Sequence, residues 1–402
     1  ADLEPQTADD DILRHPLVTI ANKERVAEQD YILVGERYKV DKSLDTTYPV
    51  VPLSDICEIN AENKNPALAF GDDEFIYIDI SSVENGTGKI DFSNKIKGSN
   101  APSRAKRAVK KGDILFSTVR PNLKAYGYVE REDFDCCVAS TGFAVISAKN
   151  MVLSKYVYYM LYSEPVQAQL ASMMGKGAYP SVNQKDVSQI QIPLPPLSVQ
   201  EKVVTEIDRY QKIINGTKQI TDNYLPAVST SASWPVVKLG MVFKLASGKG
   251  LPAKNRFDGP YNVYGGNGIT GKHSEYFVDS PTLTIGRVGE YCGAAHITSS
   301  KCWITDNALM VTEYLTEVNP EYLEAIINQI DLNQYAKVGG QPSISQSTVY
   351  NVPIPLPNID VQNSIASQIR YEKSIIQQNK KLAEIFVQKI TDIINNVWGI
   401  TK

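Results

Sequence analysis

Two stretches of the chain concentrate positive charge. Residues 97–124 carry eight Lys or Arg against one acidic residue, Asp113, and residues 244–272 carry five against one, Asp258. This density of cations favours contact with an anionic partner such as a phosphate backbone. The whole chain has a net charge of −4, which argues against a protein that coats nucleic acid indiscriminately. Either stretch alone is equally well explained as a solvated loop, so its meaning depends on the elements that position it.

Motifs that suggest catalysis or cofactor binding are weak in this sequence. Residues 266–271 match G-x-G-x-x-G, but no strong helix or βαβ unit accompanies them, and turns explain the glycines better. Glu62 and Lys64 have the spacing of a nuclease pair, but they lack a partner carboxylate upstream on a strand. The sequence contains neither Asn-Pro-Pro-Tyr nor Asp-Pro-Pro-Tyr, the signatures of methyltransferases. Catalysis therefore has no visible site.

Metal and disulfide chemistry is also not indicated. The five cysteines form no C-x-x-C pair, and only three histidines are present. Zinc sites usually need a closely spaced set of such ligands. We therefore expect no metal and no disulfide.

One segment of the chain occurs twice. Residues 180–207 match residues 342–369 at a constant offset of 162, without a gap. A second match, between residues 48–53 and 234–239, has an offset of 186. The two copies therefore share their edges and differ by 24 residues in their middles, which is where we expect function to lie. A period this long indicates two whole domains rather than a solenoid.

The middle of each copy is predicted to be β-rich. Short β-branched or aromatic runs alternate with Gly, Asn and Pro. These runs are residues 75–80, 113–117 and 142–146 in the first copy, and 282–285 and 308–311 in the second. A shorter helical segment follows in each copy, at 155–172 and 320–335.

Each copy closes with a proline-rich extended linker and a long amphipathic helix. Apolar residues recur every three or four positions after Ser198 and after Asp360, which we predict to be the N-caps, with Glu201 completing a capping box. The two apolar stripes predict an antiparallel coiled pair. About 28 helical residues would hold the two middles roughly 40 Å apart, close to the roughly 34–36 Å of one DNA turn. The alternative is that each helix docks only on its own domain.

These patterns predict an α/β (α+β) chain of two duplicated β-rich domains, separated by two long antiparallel coiled-coil helices with pseudo-two-fold symmetry. The predicted boundaries are 1–47 for an acidic N-terminal extension, 48–197 for the first domain, 198–230 for the central helix, 231–358 for the second domain and 359–402 for the C-terminal helix. No apolar run approaches the roughly 20 residues of a membrane span, and the N-terminus lacks signal-peptide features. We therefore expect a cytosolic protein.

Several motifs resemble those of the specificity (S) subunits of type I restriction-modification systems. They are residues 112–121 (GDILFSTVRP), 179–184 (YPSVNQ) and 192–201 (IPLPPLSVQE) in the first copy, and 261–271 (YNVYGGNGITG) and 284–289 (TIGRVG) in the second. Motifs, their order and the duplication agree over about residues 48–402. The leader also resembles a known sequence, because residues 30–38 (DYILVGERY) look like the tail of an adenine methyltransferase subunit of such systems.

The resemblance implies a non-catalytic DNA-recognition subunit. Two target-recognition domains would each read one half of a bipartite duplex target, and the two helices would act as a ruler that docks two adenine methyltransferase (modification) subunits. Restriction and translocase subunits would complete the complex in a bacterial or archaeal cytoplasm. We expect S-adenosylmethionine to bind the partner methyltransferase subunits, and this chain to bind no cofactor.

Candidate DNA contacts follow from residue type. Arg reads guanine and Asn or Gln reads adenine in the major groove, whereas Lys mostly neutralises phosphate. The candidates are Arg104, Lys106, Arg107, Arg120, Lys124 and Tyr179 in the first domain, and Lys249, Lys254, Arg256, Tyr264, Asn267, Lys272 and Arg287 in the second. Arg120 and Arg287 are expected at equivalent places, each following a strand, although Arg120 could instead form a buried ion pair. For each candidate, solvated surface is an equally good interpretation.

Two other classes of protein remain open at this point. The chain could be the specificity region of a fused methyltransferase and endonuclease polypeptide, which the leader suggests. It could also be a coiled-coil adaptor without DNA affinity, which salt-dependent duplex binding would distinguish.

Overall fold

The computed structural model describes residues 46–132, 135–174, 180–337 and 339–400, which form two compact units. The first unit combines the described residues up to Asn215 with those from Glu384 onward, and the second spans Gly216–Ala383. The leader that resembles a methyltransferase tail lies outside the described residues. No helix in the described part of the chain combines the length and apolar character that a membrane span requires.

The first unit is built around two four-stranded sheets, with strand orders β2–β9–β6–β7 and β4–β3–β8–β5. Neighbouring strands are antiparallel except for β3 and β8. A separate pair joins β1 to β10. The strands are β1 (Val50–Pro52), β2 (Cys57–Ile59), β3 (Glu74–Ile78), β4 (Lys95–Lys97), β5 (Ala105–Ala108), β6 (Ile114–Ser117), β7 (Tyr126–Tyr128), β8 (Cys137–Ser140), β9 (Phe143–Ala148) and β10 (Gln191–Pro193). The helices are α1 (Leu53–Ile56), α2 (Pro66–Phe70), α3 (Ser154–Leu161), α4 (Glu164–Met173), α5 (Gln184–Gln189) and the start of α6 (Leu197–Asn223).

The strand β6 shows why these sequences form buried sheet. All of its residues are buried, so its sequence lacks the alternation of apolar and polar residues that a half-exposed strand shows. Its side chains still alternate between two cores, because successive residues of a strand point to opposite faces. Ile114 and Phe116 join the core shared with the helices, whereas Leu115 joins the core between the sheets.

The second unit repeats this plan, but its second sheet is smaller. We call the sheets β2–β9–β6–β7 and β12–β18–β15–β16 the inner sheets, and the second sheet of each unit its outer sheet. The order β12–β18–β15–β16 corresponds strand for strand to β2–β9–β6–β7, whereas the second sheet has three strands, β14–β13–β17. The strands are β11 (Val236–Lys238), β12 (Phe243–Ser247), β13 (Tyr261–Gly265), β14 (Gly268–His273), β15 (Leu283–Gly286), β16 (Ala295–Ile297), β17 (Trp303–Ile304), β18 (Ala308–Tyr314) and β19 (Pro353–Pro355). The helices are α7 (Pro320–Ile330), α8 (Gln346–Tyr350) and α9 (Ile359–Val397), whose last turns belong to the first unit. The predicted difference between the two middles is therefore located in the outer sheets.

The two long helices pack together, as the sequence predicted. In the first unit the ring of Tyr210 on α6 lies 5.0 Å from the ring of Phe386 on α9, measured between centroids. The earlier residue Ile207 shares a core with the later residues Ile394 and Val397. Earlier residues of one helix thus meet later residues of the other, so this contact is antiparallel.

The ends of the helices differ from the prediction. The helix α6 ends at Asn223 rather than at 230, because Pro226 cannot continue a helix and disfavours helical geometry in the residue before it. Asp360 is not an N-cap: the cap of α9 is Asn358, whose Oδ1 accepts a hydrogen bond from the Val361 N–H at 3.0 Å. Ser198 likewise lies inside the first turn of its helix.

Two other elements also differ from the prediction. The segment predicted to be helical over 155–172 is two helices, because the chain turns at Tyr162 and Ser163 before α4 starts at Glu164, with Pro165 in its first turn. The segment predicted over 320–335 consists of α7 and a 3₁₀ turn at Leu332–Tyr335.

The proline-rich linkers are extended as predicted, but each also pairs with the start of its own copy. Val50 lies opposite Pro193, and Val236 lies opposite Pro355. The duplicated edges of the sequence therefore meet as a short two-stranded ladder that closes each domain. A proline can occupy such an edge position because it lacks only the donor of the ladder.

A buried glutamine fastens each long helix to its domain. The Gln200 amide donates from Nε2 to the Pro195 carbonyl at 2.8 Å and accepts from the Leu153 N–H at 2.8 Å. The residue 162 positions later repeats both bonds. Gln362 donates to the Pro357 carbonyl at 2.7 Å and accepts from the Asn319 N–H at 3.0 Å. Both glutamines are buried, so each amide satisfies groups that water does not reach.

A tyrosine makes a second repeated contact in each unit. The Tyr156 hydroxyl donates to the Pro193 carbonyl at 2.7 Å, and the Tyr322 hydroxyl donates to the Pro355 carbonyl at 2.6 Å. Burial raises the pKa of Tyr322 to about 12, and it raises the pKa of Tyr156 as well, so both stay protonated donors at neutral pH.

In contrast to these shared contacts, the ion pair between the domain and its long helix has opposite charges in the two units. In the first unit Lys155 of α3 pairs with Asp208 of α6 at 2.9 Å. In the second unit the residue before the repeated tyrosine is Glu321, and it pairs with Arg370 of α9 at 2.6 Å. Asp208 and Arg370 are themselves 162 positions apart. The two ion pairs therefore use equivalent positions of the long helices and have opposite charges.

We expect Gln362→Ala to lower the free energy of unfolding. The change leaves a backbone N–H and a carbonyl buried without partners, at roughly 1–3 kcal/mol for each unpaired group. Chemical denaturation of the purified chain measures the loss. The control is Gln378→Ala, the same change on the exposed face of α9, which should alter stability by no more than about 0.5 kcal/mol. Equal losses in the two variants would show that the buried amide has no special role.

We also expect the ion pair of Lys155 and Asp208 in the first unit to be energetically coupled. Burial alone would lower the pKa of Lys155, but Asp208 and Glu130 raise it, so the lysine is charged. Each single charge reversal, Lys155→Glu or Asp208→Lys, therefore creates repulsion. The Asp208 side chain is 27% exposed, so the coupling should be on the order of 1 kcal/mol. A double-mutant cycle by denaturation should find Lys155→Glu/Asp208→Lys more stable than the sum of the singles predicts, whereas Lys155→Glu combined with Glu201→Lys should be additive.

Candidate nucleic-acid interface

The central strand of the first unit ends in a loop fixed by three backbone hydrogen bonds. After β6, the Thr118 N–H donates to the Gly142 carbonyl at 2.9 Å, and the Thr118 carbonyl accepts from the Val182 N–H at 3.0 Å. Two residues later the Arg120 N–H donates to the Pro180 carbonyl at 2.8 Å. The loop is therefore hydrogen-bonded both to the β8–β9 turn and to the duplicated Pro-Ser segment. We call the surface formed by residues 118–120, 141–142 and 180–182 the recognition edge.

The second unit contains the same three bonds. After β15, the Arg287 N–H donates to the Asn307 carbonyl at 2.8 Å, and the Arg287 carbonyl accepts from the Ile344 N–H at 2.9 Å. The Gly289 N–H donates to the Pro342 carbonyl at 2.9 Å. The backbone of the recognition edge is thus common to both units, although its side chains differ.

This correspondence corrects one prediction. Arg120 and Arg287 do not occupy equivalent places, because Thr118 corresponds to Arg287 and Arg120 corresponds to Gly289. The sequence suggested equivalence because both arginines follow a strand. Only the hydrogen-bonded register shows that one is the first residue of its loop and the other is the third.

Two of the predicted contacts in the first unit lie on the recognition edge. Arg120 is exposed and has left-handed backbone geometry, with a φ of 48°, immediately before Pro121. Arg104 is exposed, and its carbonyl accepts a hydrogen bond from the Thr141 N–H at 2.8 Å, next to Gly142. Two arginines that are 16 positions apart in the sequence are therefore both exposed on segments that bond to the recognition edge.

The other basic candidates of the first unit lie beside this edge. Lys106 is exposed on β5. Arg107 is only partly exposed; its Nη1 donates to the Asn63 side-chain oxygen at 3.0 Å, and burial lowers its pKa. Lys124 closes the loop after Arg120, and its carbonyl accepts from the Gly86 N–H at 3.1 Å. Tyr179 lies outside the described residues.

In the second unit the predicted contacts surround a β-hairpin. The strands β13 and β14 are joined by the two residues Gly266 and Asn267, so the G-x-G-x-x-G match is a turn. Lys254, Asn267 and Lys272 are exposed on or near this hairpin. Arg256 donates from Nη1 to the Thr270 carbonyl at 3.3 Å.

The remaining candidates of the second unit have different surroundings. Arg287 is exposed and donates to the Ser247 hydroxyl at 3.3 Å. The Lys249 ammonium lies 4.3 Å from the centroid of the Phe277 ring, a cation–π distance. Tyr264 is only 5% exposed, and its hydroxyl accepts from the Ser299 N–H at 2.8 Å. Tyr264 is therefore a core residue, and we withdraw it from the candidate contacts.

The hairpin packs directly on the end of β15. A methyl group added to Gly286 would lie 2.1 Å from the Gly266 carbonyl oxygen, which only glycine avoids. Asn267 at the hairpin tip is thereby held beside the loop that begins with Arg287. Two segments of the sequence that were predicted separately form one surface.

An open cleft of about 240 Å³ lies on this surface. Asn267, Glu290, Tyr291, Asn307 and Gln341 are among the side chains that line it. Of this set, only Asn267 was predicted from the sequence. Gln341 lies 162 positions after Tyr179, so the duplication alone would have indicated that position in the second copy.

Metal chemistry gains no support from these sites. Over the described ranges, no three His, Cys, Asp or Glu side chains come together as a metal-binding group. The arrangement offers arginines, amides and backbone groups at a surface, which suits recognition of an anionic polymer with hydrogen-bonding edges.

Comparison with known proteins places the chain in a family. The model of the type I restriction modification DNA specificity domain matches residues 46–223 and again 232–385. The chain is 28% identical over 134 residues to the type I restriction enzyme EcoprrI specificity subunit of Escherichia coli, and 29% identical over 134 residues to the HindI specificity subunit of Haemophilus influenzae. These matches cover 32% and 33% of this chain, and 33% and 26% of the relatives.

Solved structures share the fold over nearly the whole chain. A chain from a study of complex assembly and conformational transition of the type I R-M system aligns over 87% of this chain and 97% of its own length, with a TM-score of 0.60 and 22% identity. The S subunit of a type I restriction-modification system from M. genitalium aligns over 90% and 98%, with a TM-score of 0.53 and 13% identity. With the family model matching both halves, the chain belongs to the family of type I restriction-modification DNA specificity domains.

Proposed function

We propose that this chain is the DNA-specificity subunit of a type I restriction-modification complex. Each target-recognition domain reads one half of a bipartite duplex target through its recognition edge. The observation that carries the proposal is that the two edges share one backbone frame and present different polar side chains. A shared frame with exchanged side chains is what two readers of different half-sites require, because base edges are distinguished by donors and acceptors.

The basic residues around each edge have a complementary role. Phosphate contacts position a protein on the duplex without reading its sequence. We assign this role to Lys106, Arg107 and Lys124 in the first domain and to Lys249, Lys254, Arg256 and Lys272 in the second. Arg104, Arg120 and Arg287 lie on the recognition edge, where arginine can reach guanine in the major groove.

The paired helices α6 and α9 set the spacing of the two half-sites in this proposal. We keep the two predicted domains but end the central helix at Asn223, and we propose that the helices hold the domains apart in a pseudo-two-fold arrangement. The helices also dock two adenine methyltransferase subunits, which bind S-adenosylmethionine, and restriction and translocase subunits join the complex. The relatives named above come from bacteria, and a weaker match comes from the archaeon Methanocaldococcus jannaschii, which fits a prokaryotic cytoplasm.

An exposed apolar stripe on α9 supports docking of a partner. Tyr371, Ile375 and Leu382 are exposed, and their spacing of four and seven places them on one face of the helix. Exposed apolar rows of this kind mark protein–protein contacts. We assign this face to a methyltransferase subunit.

Exchange of the first recognition domain tests the proposed function. Replacing residues 54–178 by the corresponding segment of a relative with another target should change one half of the methylated sequence and leave the other half unchanged. The measurement is methylation mapping of DNA from cells that express the chain with its methyltransferase, compared with cells that lack the chain. A change in both halves, or methylation independent of the chain, would refute the assignment of one half-site to each domain.

Docking on α9 has its own test. Ile375→Asp should weaken co-purification of the methyltransferase at least ten-fold, because a charge is placed in an apolar contact. Lys380→Glu changes the charge of the same helix at another exposed position and serves as the control. Circular dichroism and thermal unfolding should show both variants folded like the parent. Retention of the partner by the Ile375 variant would place the docking surface elsewhere.

A further inference from the structure

The cleft in the second unit lies where the two copies share backbone hydrogen bonds but differ in side chains. Gly142 of the first unit corresponds to Asn307, because each accepts the first hydrogen bond of the loop. Thr118 corresponds to Arg287 in the same way. The second copy therefore adds an amide and a guanidinium at positions where the first has hydrogen and a hydroxyl.

We infer that this cleft is a base-reading site that takes the major-groove edge of an adenine, with Asn307 and Gln341 as the residues that determine its specificity. The inference rests on the proposed function and deepens it. Asn and Gln amides pair with adenine N6 and N7 through one acceptor and one donor. In the described part of the chain, the side-chain amides of Asn307 and Gln341 form no hydrogen bond, so both are available to a ligand.

Charge separates base reading from phosphate binding within the cleft. Glu290 lines it, and a carboxylate at this place repels a phosphate. Arg287 does not line the cleft, but its backbone N–H donates to the carbonyl of Asn307, which does, and its exposed guanidinium donates to the Ser247 hydroxyl. The cleft thus has a polar, partly acidic lining and one exposed arginine next to a lining residue, which suits a base edge beside its backbone.

The size of the cleft agrees with this ligand. At about 240 Å³ it is smaller than the roughly 300–1,000 Å³ of small-molecule sites. An open cleft of this size admits one edge of a base pair rather than a complete cofactor. The exposed ring of Tyr291 adds an apolar surface against which a base can pack.

The cleft is also held rigid by its own backbone. Gly289 has a φ of 93°, a geometry that favours glycine, and its carbonyl accepts from the Cys292 N–H at 3.0 Å. The Glu290 carbonyl accepts from the Asn333 side chain at 2.7 Å. The loop is therefore fixed before a ligand arrives, as an accurate reading of donors and acceptors requires.

The test begins with the full complex and the methylation motif of the parent chain. Duplexes in which each adenine of the second half-site is replaced in turn by 7-deazaadenine lose the N7 acceptor. One of these replacements should weaken binding by the parent complex roughly 5- to 150-fold, because the amide donor that N7 accepted is left without a partner. The same replacement should weaken binding of the Asn307→Ala or Gln341→Ala complex no more than two-fold.

Two further variants make the outcome specific. Asn307→Asp keeps the shape and replaces the amide donor by an acceptor, so methylation mapping should find cytosine tolerated at the position that required adenine. Gln378→Ala, an amide lost from α9, should leave the motif unchanged. An unchanged motif and full sensitivity to 7-deazaadenine in all the cleft variants would overturn the cleft assignment while the two-part motif stands. Absence of any chain-dependent two-part motif in the parent would instead refute the proposed function.

Discussion

The buried amide of Gln200, repeated at Gln362, is the contact on which each domain's relation to its long helix depends. One side chain binds the carbonyl of the proline linker and the backbone N–H at the start of the domain's helix. Because the site is buried, no water can replace either bond, and the helix has one favourable register against the domain. The repeated tyrosine hydroxyl fixes the same linker from the other side. The repeated edges of the duplicated sequence thus have a structural role: they form the same joint between each domain and its long helix.

Because this joint between domain and helix is the same in both units, the outer sheets and loops can differ. The inner sheets keep one strand order, whereas one outer sheet has four strands and the other has three. The recognition edge belongs to both parts, since its backbone is bonded to the duplicated Pro-Ser segment, while Arg120 and Arg287 on it are exposed. Under the proposed function, a change of these exposed arginines would alter recognition with little effect on folding, because the backbone bonds of the edge do not involve their side chains. The reversed charges of Lys155–Asp208 and Glu321–Arg370 show that even the joint tolerates exchange when both partners change together.

The errors of the sequence-based predictions have identifiable causes. Arg120 and Arg287 were aligned by their distance from a strand, but cross-strand hydrogen bonds set the register, and residue type does not report it. Tyr264 was chosen as a polar aromatic in a basic stretch, yet it packs in a core with Ile304 and Ala308, which are distant in the sequence. The capping residue of α9 was placed two positions late because Asp360 and Asn358 are both good caps, and only the path of the linker selects between them.

The sequence by itself determined the duplication, the β-rich middles and the two long helices with their pairing. These follow from local chemistry: offset, apolar spacing and proline are visible in one dimension. Only the tertiary structure decided which side chains share a surface. Asn267, Asn307 and Gln341 are far apart in the chain, and they meet because Gly286 lets the hairpin lie on β15 while the Pro-Ser segment closes the loop behind it. Such a site depends on non-local packing and register, which residue spacing does not encode.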